Sequence, residues 1–286
     1  MSRVLPGPVG ELAAASVGRA LSRSPVMRSR RAMVERHLQR VHGEPLTGAE
    51  LNREVGRAFA SYSRYWLESF RLRGRSRAEV VAGMAWEGVE HVEAARANGK
   101  GAIFVIPHLG GWEWGGAWLA AMGYPVTVVV EALDPPELFE WFADFRRALG
   151  MEVVAIGPSA GAEILRALKA NHTVCLLSDR NVGGAGVEVE FFGERTELPA
   201  GPATLAIRTG AALLPAAVYF GDRRGSHRGV IRPPIPVPPR RPGKIRDDVT
   251  RVTQDIAIAL EELIRVAPEQ WHLFQPNWPS DPGYAP

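Results

Sequence analysis

Apolar runs alternate with segments of helical periodicity through most of the chain, which predicts buried strands connected by covering helices. The apolar runs occupy residues 102–106, 126–130, 151–156, 173–177 and 212–219. Segments with helical spacing lie at 112–122, 136–149, 162–170, 199–209 and 247–266. Because strands that alternate with helices favour a parallel arrangement, we predict an α/β fold with a central, mostly parallel sheet flanked by helices.

The chain before the first apolar run is predicted to be helical. Residues 47–50 read Thr-Gly-Ala-Glu, the form of a capping box that opens a long helix. Residues 80–98 are predicted to continue as a helix. We expect one domain, with a basic helical part at 1–80 whose helices pack over the site and an α/β core at 81–286.

A histidine and a carboxylate stand at the junction between the first strand and the next helix. His108 follows the strand, Gly110 and Gly111 allow a sharp turn, and Glu113 lies in the first helical turn. Within one regular helix these side chains would point about 140° apart, so they can meet only across such a junction. The pattern predicts His108 as a general base that Glu113 orients. In the alternative interpretation, His108 caps the helix and Glu113 is a solvated first-turn acid.

Other polar side chains also lie near the ends of predicted strands. Glu131, Asp179 and Arg180 come directly after apolar runs, and Arg146 lies late in a helix. Ligands of open α/β sheets gather at the carboxyl ends of strands, so Glu131, Asp179 and Arg180 are candidates for the same crevice as His108. The alternative is that they are ordinary strand-end and helix-end charges.

A serine hydrolase is the main competing hypothesis. Gly157-Pro158-Ser159-Ala160-Gly161 is a G-x-S-x-G motif between a predicted strand and a predicted helix, where a nucleophile elbow belongs. Against it, Pro158 restricts the turn, and a triad would require His227 or His272, which stand in unsuitable sequence contexts.

Composition narrows the class of protein. The 286 residues are 46% hydrophobic, enough for a full core. The single cysteine, Cys175, lies in an apolar run, so we expect it to pack in the core in a reducing compartment. The histidines show no metal-ligand spacing, and we expect no metal site. No apolar run approaches the roughly 18 residues of a membrane span.

The N-terminal third is strongly basic. Residues 1–80 contain 15 arginines against 7 acidic residues, which indicates a polyanionic partner, either nucleic acid or an anionic membrane. An apolar stripe at helical spacing, beside Arg19 and Arg23, consists of Val9, Leu12, Ala13, Val17, Ala20 and Leu21. It favours an interfacial helix, so we expect membrane association through residues 1–40 and no nucleic-acid partner. An ordinary surface helix packed on the domain is the alternative.

Several blocks, in this order, resemble those of the glycerolipid acyltransferases. They are His108-x4-Glu113, Phe145-Arg146, Ser178-Asp179-Arg180 and Leu214-Pro215. More narrowly, the chain resembles the bacterial branch that contains lipid A acyltransferases and the actinobacterial phosphatidylinositol mannoside acyltransferases. Residues 61–70 and 187–202 are especially similar to the mannoside enzymes.

The resemblance implies transfer of a fatty acyl group from acyl-CoA, a co-substrate, to a hydroxyl of a membrane glycolipid acceptor, with no further cofactor. It implies a peripheral enzyme on the cytoplasmic face of the cell membrane, in contact with the anionic inner membrane surface. His108 would be the base and Glu113 its orienting residue. Contacts with head group and donor would come from Glu131, Arg146, Asp179 and Arg180.

Two questions stay open at this level. We find no hydrophobic anchor of the kind with which lipid A acyltransferases usually begin, so we expect a mannoside acceptor and keep a lipid A-type acceptor as the alternative. The sequence also leaves open which of Glu188, Glu190 and Glu194 faces the site.

Overall fold

The computed structural model describes residues 7–131, 136–182, 186–221, 223, 225–240 and 243–284. Its helices are α1 (Gly7–Leu21), α2 (Arg28–His42), α3 (Gly48–Leu72), α4 (Arg77–Ala82), α5 (Val89–Ala97), α6 (Trp112–Ala121), α7 (Pro136–Ala148), α8 (Ala160–Lys169), α9 (Gly201–Thr209) and α10 (Ile245–Arg265). Its strands are β1 (Met84–Glu87), β2 (Ala102–Ile106), β3 (Val126–Val130), β4 (Glu152–Ala155), β5 (Thr173–Leu177), β6 (Gly186–Phe191), β7 (Glu194–Pro199), β8 (Ala212–Phe220) and β9 (His227–Ile231).

Seven strands form one sheet in the order β1-β9-β8-β2-β5-β3-β4, and β6 and β7 form a separate antiparallel hairpin. Within the seven-stranded sheet all neighbours are parallel except β8 and β9. The predicted strands 102–106 and 126–130 are β2 and β3, and both pair with β5. The predicted α/β fold with a mostly parallel sheet is therefore confirmed.

Helices cover both faces of the sheet. Ile103 and Val105 of β2 belong to a core shared with α8, α9 and α10, whereas Phe104 belongs to a second core with α5 and α6. Successive side chains of a strand point to opposite faces, so a five-residue apolar run supplies both cores. This double burial explains why β2 reads as continuously apolar instead of alternating.

Helix α3 connects the N-terminal helices to the sheet domain. Its Phe59 and Val55 pack with Leu38 of α2 and Phe274 of the segment after α10. Helix α1 lies against α3 through a close approach at Gly18, where a Cβ atom would stand 2.4 Å from the carbonyl oxygen of Phe59. Small residues on the inner face of α1 thus allow this tight contact.

The outer face of α1 carries the predicted apolar stripe. Val9, Leu12 and Val17 are 50%, 51% and 56% exposed, so the larger side chains of the stripe are not used in packing against the domain. Within the described residues, no helix combines the length and the apolar character that crossing a bilayer requires.

Two local predictions were wrong. Residues 80–98 are not one helix: Gly83 and Gly88 separate α4, the edge strand β1 and α5. Gly88 has φ +81°, and a Cβ there would lie 2.0 Å from the carbonyl oxygen of Ile231, so strand pairing with β9 overrides the helical pattern. The capping box at Thr47 does not form, because Thr47 makes no side-chain cap hydrogen bond; a capping box forms instead between Ser76 and Glu79 at the start of α4.

The segment after α10 is tied to α2 by a buried carboxylate. Asp281 accepts hydrogen bonds from the amides of Asn277 (3.0 Å) and Trp278 (3.2 Å), and pairs with Arg40 at 2.8 Å. Burial by itself would raise the pKa of Asp281, but hydrogen bonds from His37 and the Asn277 amide and the pairing with Arg40 outweigh it. The pKa of this carboxyl is therefore well below its ordinary value, and its ionised form stabilises the fold.

We predict that Asp281→Asn destabilises the protein at neutral pH by about 2 kcal/mol, because charged acceptors make stronger hydrogen bonds than neutral ones. The carboxylate contributes stability above the ordinary carboxyl pKa, and this contribution is lost as the pH falls towards the lower pKa of the folded state. The difference between variant and wild type in urea unfolding should therefore shrink with acidification.

Asp255→Asn is the matched control, since Asp255 is a partly exposed carboxylate on α10 that pairs with Arg251 at 3.4 Å. We expect it to cost no more than about 0.5 kcal/mol. Equal losses in the two variants, or a difference that does not change with pH, would contradict the assigned role of Asp281.

Candidate active site

The ends of two neighbouring strands bring His108 and Asp179 together. Strands β2 and β5 are parallel with Ile106 opposite Leu177, so each of the two residues lies two positions beyond a paired strand end. The chain then turns sharply at Gly110, whose φ is +59° and where a Cβ would lie 2.1 Å from the carbonyl oxygen of Val218. Only glycine fits this turn, which leads into α6.

Asp179 holds both the backbone and the side chain of His108. Its Oδ1 lies 2.7 Å from Nδ1 of the imidazole, and its Oδ2 accepts the His108 backbone amide at 2.9 Å. A carboxylate accepts hydrogen bonds, so Nδ1 carries a proton, and in the neutral form of the imidazole Nε2 keeps its lone pair. The imidazole is partly exposed, with 26% of its side chain accessible. This is the arrangement of an oriented general base.

Asp179 itself is completely buried and is held from the far side by the segment after α10. Trp271 donates its indole N–H to Oδ2 at 2.7 Å, and the Asn277 side-chain amide donates to the backbone carbonyl of Asp179 at 3.0 Å. Burial alone would raise the pKa of Asp179, but the positive charge that His108 carries when protonated and the hydrogen bonds from His108 and Trp271 lower it below its ordinary value. The carboxyl group is therefore ionised where it contacts the imidazole.

The predicted orienting contact from Glu113 to His108 is wrong. Glu113 is buried and forms a two-point ion pair with Arg146 of α7, with Arg146 Nε at 3.1 Å, and Tyr65 donates to it at 3.4 Å. The first turn of α6 thus directs this carboxylate towards α3 and α7. Burial and the charge of Glu113 raise the pKa of Tyr65 well above its ordinary value, so its hydroxyl remains a donor.

His108 lies at a predominantly apolar cavity of about 220 Å³ between α6 and the sheet. Strands β2, β3, β5 and β8 contribute its walls, together with Tyr65 and Trp66 of α3 and Phe142 of α7. The polar or charged groups that line it include His108, Glu113, Glu131 and Arg146. A deep apolar space beside one basic nitrogen suits a long hydrocarbon chain whose reactive end stays at the mouth.

Glycines in α6 leave room for this cavity. A Cβ at Gly116 would lie 2.6 Å from the sulfur of Met151, and one at Gly115 would lie 2.7 Å from Cγ2 of Val218, and both of these neighbours line the cavity. Cys175 is also part of the wall, and burial raises the pKa of its thiol to about 12. Cys175 is therefore a protonated wall residue and a poor nucleophile.

Most of the predicted site residues converge, but not all of them. His108, Glu113, Glu131 and Arg146 line the cavity, and Asp179 stands directly behind His108. Arg180 does not: it lies in a separate depression with Asn181 and Tyr284. Asp179 and Arg180 lie in the bend after β5, and their side chains have different surroundings although they are neighbours in the chain.

The acidic candidates of the β6–β7 hairpin also lie away from the cavity. Glu194 pairs with Arg40 at 2.8 Å, Glu188 pairs with Arg195 at 3.1 Å, and Glu190 is exposed. Neither these three glutamates nor Arg180 is among the residues that line the cavity.

The structure gives no support to the nucleophile elbow. Ser159 is exposed, has φ −85° and ψ −20° at the start of α8, and makes no hydrogen bond with any described histidine. It therefore lacks both the strained turn and the base of a hydrolase. His272 and His227, the candidate triad members, are occupied elsewhere by Ser61 and Glu68.

Two buried histidines that sequence reasoning had set aside support the site. His272 donates its backbone amide to the His108 carbonyl at 2.7 Å, and its imidazole contacts Ser61 of α3 at 2.8 Å. Burial, together with the charge of His108, lowers the pKa of His272 to about 3, so it stays neutral. His227 pairs with Glu68 of α3 at 2.7 Å. No local motif marks these contacts, since each joins residues more than a hundred positions apart.

Within the described ranges, no group of three or more histidine, cysteine, aspartate or glutamate side chains is arranged to bind a metal ion. Separately from this, the site presents the partly exposed imidazole of His108 beside an apolar cavity.

Comparison with known proteins agrees with this geometry. The chain is 37% identical over 253 residues to a phosphatidylinositol mannoside acyltransferase of Mycolicibacterium smegmatis, which covers 87% of this chain and 79% of that protein. It is also 37% identical to a phosphatidylinositol mannoside acyltransferase of Mycobacterium tuberculosis, over 77% of this chain and 69% of that protein. A lipid A biosynthesis acyltransferase of Haemophilus influenzae is more distant, with 24% identity over 64% of this chain and 55% of that protein.

The family described as bacterial lipid A biosynthesis acyltransferase matches residues 1–280, nearly the whole chain. The protein is thus a member of this acyltransferase family.

Proposed function

We propose that the protein transfers a fatty acyl group from acyl-CoA to a hydroxyl of a membrane glycolipid of the phosphatidylinositol mannoside class. Acyltransferase activity follows from the family and from the relatives' names. The donor and the base mechanism are supported by one observation above all. His108, held by the buried carboxylate of Asp179, stands at the mouth of an apolar cavity.

In the proposed reaction, Nε2 of His108 removes the proton from the acceptor hydroxyl while its oxygen attacks the thioester carbonyl of acyl-CoA. The tetrahedral intermediate then expels the thiolate of CoA, which takes the proton back from the imidazolium. Asp179 stabilises the imidazolium because its ionised carboxylate lies 2.7 Å from Nδ1. No covalent acyl-enzyme forms on this path.

The first turn of α6 supplies positive potential at the same place. Its N-cap residue, Gly111, contributes no side-chain cap, so the first backbone amides of the helix remain available. We propose that these amides stabilise the oxyanion of the intermediate, since a helix N-terminus favours negative charge. The nearby carboxylate of Glu113 is neutralised by Arg146 and therefore does not oppose this charge.

The cavity beneath α6 is proposed to hold the acyl chain, with Glu131 and Arg146 at the end where the polar parts of donor and acceptor meet. The relatives named phosphatidylinositol mannoside acyltransferase are the more similar ones, which supports that acceptor. A lipid A-type acceptor is the second candidate, supported by the match to the Haemophilus influenzae enzyme.

We further propose that the protein binds the cytoplasmic face of the cell membrane as a peripheral protein. The outward apolar face of α1 and the arginines beside it support this, because an interfacial helix inserts apolar side chains and places cations at anionic lipids. Such binding would bring a lipid acceptor to the cavity mouth.

A series of four variants tests the mechanism. We predict that His108→Ala lowers the rate of acyl transfer by about 10²-fold or more, as loss of a general base does. Asp179→Asn should lower kcat more than Glu113→Gln does, because Asp179, and not Glu113, contacts the imidazole. The assay is thiol release from acyl-CoA with and without phosphatidylinositol mannoside.

Ser159→Ala is the control of this series and should keep wild-type activity, because the serine is exposed and away from the cavity. Circular dichroism checks that Asp179→Asn remains folded. Full activity in His108→Ala would refute the mechanism. An inactive Ser159→Ala with a burst of acyl-enzyme would instead show a serine hydrolase.

The cavity predicts a chain-length effect for Gly116→Ala. The new methyl group would displace Met151 into the cavity and shorten it. We expect the ratio of kcat/KM for long over short acyl-CoA to fall about tenfold, since each buried methylene contributes roughly 0.8 kcal/mol. Gly161→Ala in α8 is the control, because a Cβ added to Gly161 would meet no other atom within 4 Å. An unchanged ratio in Gly116→Ala would show that the acyl chain does not reach this wall.

The α1 stripe predicts a membrane defect for the triple variant Val9→Ser, Leu12→Ser and Val17→Ser. Binding to anionic vesicles should weaken at least about tenfold, because several apolar side chains no longer leave water. The control replaces three apolar residues of similar exposure elsewhere with serine: Ile156, Ile258 and Val266. Sedimentation with vesicles measures both, and equal binding of the two triple variants would exclude α1 as the membrane contact.

A further inference from the structure

A second, strongly basic pocket lies among the N-terminal helices. It has a volume of about 950 Å³ and is bounded by the last turn of α1, the short segment before α2, the start of α2 and the first turns of α3. Its floor consists of Ala49, Asn52 and Gly56, which share one face of α3 and leave space above the helix. The arginines that line it are Arg19, Arg23, Arg28, Arg31, Arg53 and Arg57.

Three of these arginines have no acidic partner in the part of the chain that the structure describes. Arg19, Arg23 and Arg28 form no ion pair within 4.0 Å with any carboxylate of the described residues. Their side chains are exposed at the pocket rim. Like charges held this close repel one another, so the arrangement is costly unless an anion joins it.

Two other arginines form fixed walls. Arg31 donates to Asn52 Oδ1 at 2.6 Å and to the Ser22 carbonyl at 3.0 Å, and it pairs with Glu35 at 2.8 Å. On the other side, Arg57 pairs with Glu269 at 2.9 Å. Anchored guanidinium groups lose little conformational entropy when an anion binds beside them.

The start of α2 adds to the positive potential. Its N-cap residue, Met27, provides no side-chain cap, and its first turn contains no acid but does contain Arg28, Arg30 and Arg31. Acidic residues are favoured at this position and basic ones are not, because the helix dipole is positive there. An external anion would be favoured by the helix start and by the arginines together.

This pocket is distinct from the catalytic cavity and shares no lining residue with it. Both use α3, but Asn52 and Tyr65 lie 13 positions apart, which corresponds to about 20 Å along the helix. The pocket instead adjoins the apolar stripe. Leu21 and Val26, which are 38% and 84% exposed, stand on either side of Arg23 in the chain.

We propose that this pocket binds the phosphate of an anionic membrane lipid's head group, with Arg19, Arg23 and Arg28 closing on it. The inference rests on the proposed membrane association and deepens it by naming a discrete, saturable lipid site. A lipid phosphate is favoured over a free one because exposed apolar side chains flank the cations, so that one ligand can satisfy both.

The test compares two variants of the pocket with a control of equal charge. Arg19, Arg23 and Arg28 are replaced together by glutamine in the first variant and by lysine in the second. The control replaces three exposed arginines far along the chain by glutamine: Arg208, Arg240 and Arg246. Binding is measured to phosphatidylcholine vesicles with and without phosphatidylglycerol and to duplex DNA. The unfolding temperature is measured with pyrophosphate and with CoA.

We expect the glutamine variant to bind anionic vesicles on the order of a hundredfold more weakly than the control, since each arginine at an anionic surface contributes roughly fivefold. The lysine variant should fall between wild type and the glutamine variant, because an ammonium cannot make the two-point contact of a guanidinium. Pyrophosphate should compete with vesicles for wild type and not for the glutamine variant.

Any other outcome would contradict either the lipid site or the membrane association on which it rests. If the glutamine variant and the control lost vesicle binding equally, or if the lysine variant bound vesicles as well as wild type, the arginines would act only as diffuse surface charge. The lipid site would then be refuted, and the proposed membrane association would remain. No binding of wild type to anionic vesicles would remove both proposals. Pocket-dependent stabilisation by CoA or pyrophosphate with unchanged vesicle binding would assign the pocket to a free phosphate, and selective loss of duplex DNA binding would assign it to nucleic acid.

Discussion

The burial of the Asp179 carboxylate is the constraint on which the site depends. An ionised group with no exposed surface is stable only when donors surround it, and here they come from the His108 amide, the His108 imidazole and the Trp271 indole. These donors belong to the end of β2 and to the segment after α10. The position of the histidine and the course of the C-terminal segment are therefore set by one carboxylate.

A second buried carboxylate, at the cavity wall, is also surrounded by hydrogen-bond donors. Glu113 is buried and compensated by Arg146 and Tyr65, so α6, α7 and α3 meet at one ion pair. On α3 itself, Glu68 compensates Arg64 and His227. Breaking a buried pair leaves an uncompensated charge, which costs several kcal/mol, roughly 3–5. Helix α3 thus takes part in both buried ion-pair networks, through Tyr65 and through Glu68.

Features of the fold that depend on neighbouring residues could be predicted from the sequence, whereas features that depend on residues far along the chain could not. The strands β2, β3 and β5 and the turn at Gly110 are encoded in short runs, and their prediction was correct. The helix predicted at 80–98 failed because β1 is held by β9, which lies more than a hundred residues further along. The hairpin strand β7 and the strand β9 were likewise not predicted, since neither has a continuous apolar run.

The site shows the same division. His108, Glu113, Glu131 and Arg146, which line the cavity, were named from the sequence. The partner of the His108 imidazole was assigned to Glu113, five positions away, whereas in the structure it is Asp179, 71 positions away. Spacing in a motif suggested a neighbour, but the first turn of α6 directs that carboxylate to Arg146. The sequence did contain one signal for Asp179, because it follows a predicted strand as His108 does. This signal identifies Asp179 as the partner of His108 only when β2 and β5 are known to be neighbours in the sheet.

The long separation between Asp179 and its donors has a consequence for synthesis on the ribosome. Trp271 and Asn277 follow Asp179 by 92 and 98 residues, so they emerge well after α1, α2 and α3. Domains begin to fold as they are synthesised, N-terminal parts first. The nascent chain therefore completes its N-terminal helices before the histidine has its complete surroundings. The membrane contact proposed for these helices would thus be able to form before the site is assembled.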